Sequence, residues 1–405
     1  MNILFLCDEY PPGPHGGIGT AVQLLARALA KAGHEVVVAG FYDWGYGGAD
    51  AEKDGLVQVY RFRRRGSGAW AQNRKALVVR AAYRIFRKTH LLQWSIQKSL
   101  PEYHRFLDKI IDRHRIEVAE ISDFQDYTQH LSRKTPLPRL PIPYVVKLHG
   151  SITNCNAGTQ TPTPDAIFET EKQLLQNAAG VIAVSRFALA ETEKLFGLSL
   201  PAIVIPNGLD LSPFPQKRPS KNLQKVVFSG TLVALKGIYQ LMKAWNQVVE
   251  KVPQARLDVY GKGALNHILP LLSPKSREQV TFHGHVSREA LLESLQDAAI
   301  GVFPSYTETF GLAAAEAMAS GCAVVYTSRA AGPELIAQGR NGLLIDPDDV
   351  EALADSLIHL LQNPELCQTL GQNALETARR QFDISQQIAL HTDFYKKIIR
   401  DTASK

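Results

Sequence analysis

The feature that most constrains the fold is an alternation of short, β-branched apolar runs with segments of helical periodicity, repeated along the chain. Helix-length connections between successive apolar strands are what a parallel sheet requires. The sequence therefore predicts an α/β protein with two doubly wound sheets. The predicted strands of the first series are Asn2–Cys7, Glu35–Ala39, Val57–Phe62, Tyr144–Leu148, Gly180–Ser185 and Ala202–Ile205, and those of the second are Lys225–Ser229, Arg256–Tyr260, Gln279–Phe282, Ala299–Phe303, Ala323–Tyr326 and Gly342–Ile345.

A polar, proline-rich stretch, DLSPFPQKRPSKN, lies between the two series of strands. Stretches of this composition are typical of interdomain linkers. We therefore predict a domain boundary near Ser212–Leu223, and the length of 405 residues agrees with two domains.

The lengths of the apolar runs, the first acidic residues and the cysteine spacing exclude several classes of protein. No apolar run reaches the roughly 18 residues that a transmembrane helix needs, and the first strand meets Asp8 and Glu9, unlike a signal peptide. A cytoplasmic location is the resulting expectation. The four cysteines form no CxxC pair and no zinc-ligand spacing, so they are predicted to be buried thiols of a reducing compartment.

The loop EYPPGPHGGIG joins the first strand to a helix predicted over Thr20–Ala32. Gly16, Gly17 and Gly19 stand where the backbone N–H groups of a helix start point outward, which suits a phosphate or a sugar held against the main chain. The loop is neither GxGxxG nor a P-loop. A tight turn that needs positive φ explains the glycines equally well.

The segment YTETFGLAAAEAMASG carries the strongest chemical signal. Glu308 lies on a loop, Phe310, Gly311 and Leu312 begin a helix, and Glu316 lies inside it. The free N–H groups of a helix start can hold a diphosphate, and a carboxylate further along can accept hydrogen bonds from ribose hydroxyls. The alternative is that both acids are ordinary helix and surface charges.

Five motifs then occur in a characteristic order: the glycine loop, VVKLHG, IPNGLD, SGTLVALKG and ETFGLAAAEAMASG. In this order they resemble the family-4 retaining glycosyltransferases of glycosyltransferase group 1. The resemblance implies a GT-B fold, in which two Rossmann-like domains face a central cleft. It implies an acceptor domain over 1–211, completed by a C-terminal crossing helix at about 383–405, and a donor domain over 212–382.

The resemblance also implies a reaction and a set of site residues. The reaction is a hexosyltransferase-type transfer from a nucleotide-diphosphate sugar, with UDP or GDP as the nucleotide, to an acceptor hydroxyl, with retention and without a cofactor or metal. The implied catalytic residues are His149, Lys236 and Glu308, and the implied donor-binding residues are Gly16, Gly17, Asn207, Thr231, Lys236, Gly261, Phe310, Gly311, Leu312 and Glu316. The alternatives are a non-catalytic or membrane-binding protein and a phosphorylase or synthase variant on the same fold.

One position departs from the family pattern. Many members carry an arginine where this chain has Thr231, so the second cation facing the diphosphate is missing from its usual place. Lys262 or Arg329 is the candidate substitute. The base is expected near Tyr260–Gly263 and His283–Val286.

Two patterns that suggest a metal have simpler explanations. Asp346-Pro347-Asp348 precedes a helix and is expected to form a turn and a helix N-cap. His283 and His285 have no third ligand nearby in the sequence, and even open zinc sites use three protein ligands. We therefore expect no metal site.

The basic residues are concentrated between residues 61 and 115, where fifteen Lys and Arg face three acids. That segment carries +12, so the remaining chain carries −6 within the net +6. A predicted helix there places its cations on one face, with tryptophans near its ends, and these cations are Arg80, Arg84, Arg87 and Lys88. They would suit an anionic membrane surface and a lipid-linked acceptor, whereas an ordinary solvated face would suit a soluble acceptor. The aromatics are not interleaved as nucleic-acid binding requires, so nucleic acid is an unlikely partner.

Overall fold

The computed structural model describes residues 1–13, 15–43, 46–63, 90–131 and 140–404. The chain divides into two compact units. The first unit comprises Met1–Val184, Ala188–Gly208 and Gln387–Lys405, and the second comprises Ser185–Phe187 and Leu209–Gln386.

The first unit is built on an eight-stranded sheet with the order β3-β4-β2-β1-β5-β6-β7-β8. Every neighbouring pair is parallel except β3 and β4, which pair antiparallel at one edge. The central strands are apolar runs whose residues are almost all buried, as expected for a parallel sheet covered on both faces. The strands are β1 (Asn2–Leu6), β2 (Glu35–Tyr42), β3 (Ala51–Asp54), β4 (Val57–Arg63), β5 (Val118–Ser122), β6 (Tyr144–Leu148), β7 (Gly180–Ala183) and β8 (Ala202–Val204).

The second unit contains a six-stranded parallel sheet with the order β11-β10-β9-β12-β13-β14. Its strands are β9 (Asn222–Ser229), β10 (Arg256–Tyr260), β11 (Val280–Gly284), β12 (Ala298–Phe303), β13 (Ala323–Thr327) and β14 (Leu343–Ile345). The winding direction reverses beside the first strand of each sheet. In the first unit β2 and β5 lie on opposite sides of β1, and in the second β10 and β12 lie on opposite sides of β9.

Helices connect these strands. They are α1 (Gly17–Lys31), α2 (His90–His114), α3 (Ile152–Gly158), α4 (Asp165–Gln176), α5 (Arg186–Phe196), α6 (Ile238–Lys251), α7 (Pro274–Arg277), α8 (Arg288–Asp297), α9 (Leu312–Ala319), α10 (Gly332–Leu335), α11 (Val350–Gln362), α12 (Pro364–Gln381) and α13 (Ile384–Ala403). Short 3-10 turns cover Asp126–His130, Ala234–Lys236, Leu265–His267 and Leu269–Leu271.

Polar side chains tie α13 to the sheet of the first unit. Lys147 Nζ lies 3.2 Å from His391 Nε2, and Tyr395 Oη donates a 2.5 Å hydrogen bond to Glu120. All four side chains are buried. Because they satisfy one another, the strands β5 and β6 can carry an acid and a lysine in the interior.

The predicted fold class is confirmed, since both units are α/β with parallel sheets. Two strands were not predicted from the sequence: β3 has no apolar alternation, and the apolar run of β5 is interrupted by Glu120. The expectation of four buried thiols is wrong for Cys155, which is exposed, whereas Cys7, Cys322 and Cys367 are buried.

The predicted cationic face lies outside the described residues, because Arg80, Arg84, Arg87 and Lys88 belong to the range 64–89. Two other members of the basic segment have intramolecular partners: Arg61 pairs with Glu52 at 2.7 Å, and Arg63 pairs with Asp50 at 2.9 Å. None of the helices that the structure describes combines the length and the apolar character needed to cross a bilayer.

The core of the second unit supplies a direct test of the packing. Trp245 on α6 is fully buried, so Trp245→Ala should lower the free energy of unfolding of this unit by about 3–5 kcal/mol. Trp94→Ala is the matched control, because the Trp94 side chain is 57% exposed and contacts Lys98. The Trp94→Ala change should lower the free energy of unfolding by no more than about 1 kcal/mol. Urea denaturation followed by circular dichroism measures both, and equal losses for the two variants would contradict the packing described.

Candidate active site

In the second unit, β9 and β12 are neighbouring strands, and the direction of winding reverses between them. The loop after β9 and the loop after β12 therefore diverge from adjacent strand ends. In open parallel sheets, loops that diverge at such a point form a crevice at the carboxyl ends of the strands. The first loop carries Lys236 and the second carries Glu308. The topology therefore brings together two residues that are 72 positions apart in the sequence.

Lys236 and Glu308 form an ion pair, with Nζ and Oε1 separated by 2.6 Å. The Ser305 hydroxyl donates a 3.1 Å hydrogen bond to the same oxygen. The Lys236 side chain is 33% exposed and the Glu308 side chain is 19% exposed, so both are accessible to a ligand. An anion that enters this crevice would find a cation held in place by a carboxylate.

The start of α9 borders the same crevice. Gly311 has φ +92°, and a Cβ there would lie 2.0 Å from the Tyr326 hydroxyl, so only glycine fits. The first backbone bond of the helix runs from the Ala315 N–H to the Gly311 C=O. The N–H groups of Phe310, Gly311 and Leu312 therefore have no acceptor within the helix, and this end of α9 is electropositive.

Glu316 lies one turn further along α9 and is buried. Its carboxylate pairs with Arg288 at the start of α8, at 2.8 Å. Burial raises the pKa of Glu316, and the neighbouring Arg288 opposes that shift. Arg288 is a site residue that the sequence analysis missed, since no motif links it to a glutamate 28 positions later.

A flat aromatic pair lies within the neighbouring strands β10 and β11, at their carboxyl ends. The rings of Tyr260 and His283 stack with centroids 4.4 Å apart and planes 5° apart. Tyr260 Oη donates to Ser294 at 2.8 Å, and His283 Nε2 lies 3.1 Å from Asp258. Gly261 follows this tyrosine directly, at the position expected for the base.

Arg329 is already paired with two carboxylates, those of Asp346 and Asp348, each at 2.6 Å. An anion would have to compete with both acids for this guanidinium. Lys262, the other candidate second cation, is exposed, and so is Thr231.

The expected turn at Asp346-Pro347-Asp348 is present, because the Asp348 N–H donates to Asp346 at 2.9 Å. The N-cap of α11 is the next residue, Asp349, which accepts from the Ala352 N–H at 2.8 Å. In the described part of the chain, no group of three or more His, Cys, Asp or Glu side chains is arranged to hold a metal ion.

In the first unit, the glycine loop begins α1 at Gly17, three residues earlier than predicted. The carboxylate of Glu9 accepts hydrogen bonds from the Gly16 N–H at 3.3 Å and the Gly19 N–H at 2.7 Å. A Cβ at Gly19 would lie 2.1 Å from the Glu9 carbonyl oxygen, so α1 packs directly on the loop that follows β1. Gly17 is exposed at the first turn.

His149 follows β6 and is held through its backbone. Its N–H and that of Gly150 donate to the two carboxylate oxygens of Asp123, at 2.8 and 3.0 Å. Burial, and to a lesser degree Lys147, lower the pKa of His149 well below its ordinary value. The imidazole is therefore neutral near pH 7. Asn207, before the end of the first unit, is buried, and its Oδ1 has no hydrogen-bond partner among the described residues.

Two family models match consecutive parts of the chain. The model described as Glycosyltransferase Family 4 matches residues 15–213, and the model described as Glycosyl transferases group 1 matches residues 213–377. The chain belongs to the group 1 glycosyltransferases of family 4. It is accordingly an enzyme of the glycosyltransferase class, EC 2.4.

Similar proteins match nearly the whole length of this glycosyltransferase. A glycogen synthase of Mycobacterium tuberculosis is 26% identical over 402 residues, spanning 95% of this chain and 91% of the relative. The solved sucrose-phosphate synthase of Thermosynechococcus elongatus has a TM-score of 0.77 and 21% identity, over 99% of both chains. Anabaena HepE, solved in complex with UDP-glucose, has a TM-score of 0.65 and 17% identity, over 100% of both chains. These solved structures establish the GT-B fold of this glycosyltransferase.

The glycosyltransferase also has an acid with an unusual titration. Asp8 accepts the Phe41 N–H at 2.8 Å; burial, helped by the nearby charges of Asp126 and Glu9, outweighs this hydrogen bond and raises the pKa of Asp8 to about 8. Between about pH 4 and pH 8 the folded protein holds a proton here that the unfolded chain has released. Its contribution to stability therefore falls as the pH rises through that window.

Asp8→Asn removes this linkage while keeping an acceptor for Phe41. Relative to the parent, the variant should gain stability with rising pH, by up to about 1.4 kcal/mol per pH unit between pH 4 and pH 8. Urea titrations at pH 5, 6.5 and 8 measure the difference. A difference in stability between variant and parent that does not change between pH 5 and pH 8 would show that Asp8 is ionised throughout, and a variant that loses stability relative to the parent as the pH rises would also contradict the raised pKa.

Proposed function

We propose that the protein is a retaining glycosyltransferase that moves a sugar from a nucleotide-diphosphate sugar to an acceptor hydroxyl without a metal ion. The observation that carries the proposal is the accessible Lys236–Glu308 ion pair beside the N-terminus of α9, at the winding reversal of the second sheet. A nucleoside diphosphate gains negative charge on its phosphates as it leaves the sugar, and fixed cations and N–H groups stabilise that charge.

The donor would lie along the second unit. In this proposal Lys236 and the amides of Phe310, Gly311 and Leu312 hold the diphosphate. Glu316, positioned by Arg288, accepts the ribose hydroxyls, and the flat pair of Tyr260 and His283 faces the base. HepE, a fold neighbour, was solved with UDP-glucose, which makes UDP the first nucleotide to test, with GDP as the second.

The remaining residues would orient the transferred sugar. A neutral His149 can exchange hydrogen bonds with sugar hydroxyls but does not carry the charge of an acid catalyst. Glu308 would hold donor hydroxyls with its second oxygen while it pairs with Lys236. In a front-face reaction with retention, the bond from the anomeric carbon to the leaving phosphate breaks as the acceptor oxygen bonds to the same face. The leaving phosphate takes the acceptor's proton.

Removal of the cation should weaken nucleotide binding. Lys236→Ala should raise the Kd for UDP about 10- to 100-fold, because a hydrogen bond to a charged group is worth about 1.5–3 kcal/mol. Lys243→Ala on α6 is the matched control, since Lys243 is exposed on the helix that follows the loop. Isothermal titration calorimetry with UDP and then with GDP measures the effect. Equal affinities for Lys236→Ala and the parent would contradict the assignment of the diphosphate site.

The basic segment between residues 61 and 115 suggests where the enzyme works, because each cation near an anionic bilayer contributes about 1 kcal/mol to membrane binding. If it places the enzyme on the inner face of the membrane, the protein should co-sediment with phosphatidylglycerol vesicles and not with phosphatidylcholine vesicles. Replacing Arg80, Arg84, Arg87 and Lys88 with Gln should abolish co-sedimentation, whereas replacing Lys109 and Arg113 of α2 should not. Co-sedimentation that survives the fourfold change would contradict a membrane role for that face.

A further inference from the structure

A second crevice lies within the first unit, again at its winding reversal. The ends of β1, β2 and β5 diverge there around a pocket of about 200 Å³. Ligands of open parallel sheets bind at such points. This pocket is formed by residues of the first unit, whereas the residues to which the proposed function assigns the diphosphate, the ribose and the base belong to the second unit.

The polar lining of the pocket is acidic. It includes Asp8, Glu9, Asp43 and Asp126, and no Lys, Arg or His is among the described residues that line it. These acids do not form a metal site, since no group of such side chains in the described ranges is arranged to hold an ion. A phosphate brought into this pocket would meet carboxylates with no cation in the lining to offset the repulsion.

Asp8 is the side chain that points to a ligand. Its Oδ1 accepts the Phe41 N–H, its Oδ2 is buried without a hydrogen bond of good geometry to the described residues, and the Asp126 N–H lies close to the carboxylate. Burial raises the pKa of Asp8 to about 8, so at neutral pH the carboxyl group carries a proton. It can then donate one hydrogen bond and accept another, which matches what a hydroxyl group offers in return.

The rest of the pocket also suits a sugar. Glu9 is held in place by the amides of Gly16 and Gly19, so the N-terminus of α1 is already capped by a carboxylate. Ile18, Phe41 and Phe124 line the pocket with apolar surface, against which the C–H face of a sugar ring can pack.

We propose that this pocket binds the acceptor, that the acceptor is an uncharged polyhydroxylated molecule such as a sugar or polyol, and that acceptors carrying a phosphate are rejected. This inference rests on the proposed glycosyltransferase function, and it names the substrate class on the acceptor side. Hydroxyls of the acceptor would bond to Asp8, Asp43 and Asp126.

Binding of a matched panel to the full-length protein, saturated with UDP, tests the proposal. The panel contains glucose, fructose, myo-inositol and maltose, together with glucose 6-phosphate, fructose 6-phosphate and inositol 3-phosphate. Saturation-transfer NMR and calorimetry should detect at least one neutral member, with its phosphate ester bound at least about 10-fold more weakly. A phosphate ester that binds as tightly as its neutral parent would overturn the inference, and so would a panel in which no neutral member binds.

Variants locate the binding. Asp8→Asn and Asp126→Asn should each weaken the neutral ligand about 10-fold or more. Asp126→Lys, at the exposed rim, should reverse the preference toward the phosphate ester. Asp112→Asn, an exposed acid on α2, is the matched control and should leave both affinities unchanged. Unchanged binding in all three pocket variants would overturn the assignment.

A separate titration of the parent protein with UDP and then with GDP distinguishes the two proposals. Absence of binding for both nucleotides would refute the donor site itself. Normal UDP binding with an inverted or absent sugar preference would refute only the pocket.

Discussion

The rest of the structure depends on the reversal of winding beside the first strand of each sheet. A parallel sheet buries its strands and exposes only the loops at its ends, so chemistry is confined to those loops. Where the winding reverses, the two loops part and leave a crevice between them. In the second unit these loops bring Lys236 to Glu308, and in the first they place Asp8 and Glu9 opposite the end of β5.

The two crevices have the same topology and opposite electrostatics. In the second unit, a lysine and the N-terminus of α9 make the crevice attractive to anions, and Gly311 lets the backbone come close. In the first unit, the Glu9 carboxylate already accepts hydrogen bonds from the Gly16 and Gly19 N–H groups, which makes the start of α1 less attractive to a second anion. This difference in charge is the basis for proposing an anionic ligand in the second unit and an uncharged ligand in the first.

The fold class could be predicted well from the sequence, because hydrophobic periodicity and the glycine and proline residues between elements are local properties. Twelve apolar runs indicated twelve of the fourteen strands, and β3 was missed because an edge strand with the sequence AEKD buries little. β5 was missed because the burial of Glu120 is made possible by Tyr395, far away on α13. A contact of that kind cannot be seen from periodicity.

The site was predictable only in part, for the same reason. Motif order singled out Lys236, Glu308 and Glu316, but their ionic partners depend on the fold. Arg288 forms an ion pair with Glu316 from another helix, and Arg329 forms ion pairs with Asp346 and Asp348. The titration of Asp8 depends on burial, which the sequence MNILFLCDEY does not reveal.

The central claim is that a nucleotide diphosphate binds at the crevice of the second unit. Amide hydrogen exchange measured by mass spectrometry, with and without saturating UDP, tests it most directly. The account predicts slower exchange in peptides that contain Thr231–Ile238 and Phe310–Glu316, with little change in the peptides of β1 and β2. Protection that is absent from both second-unit segments, or confined to the first unit, would contradict it.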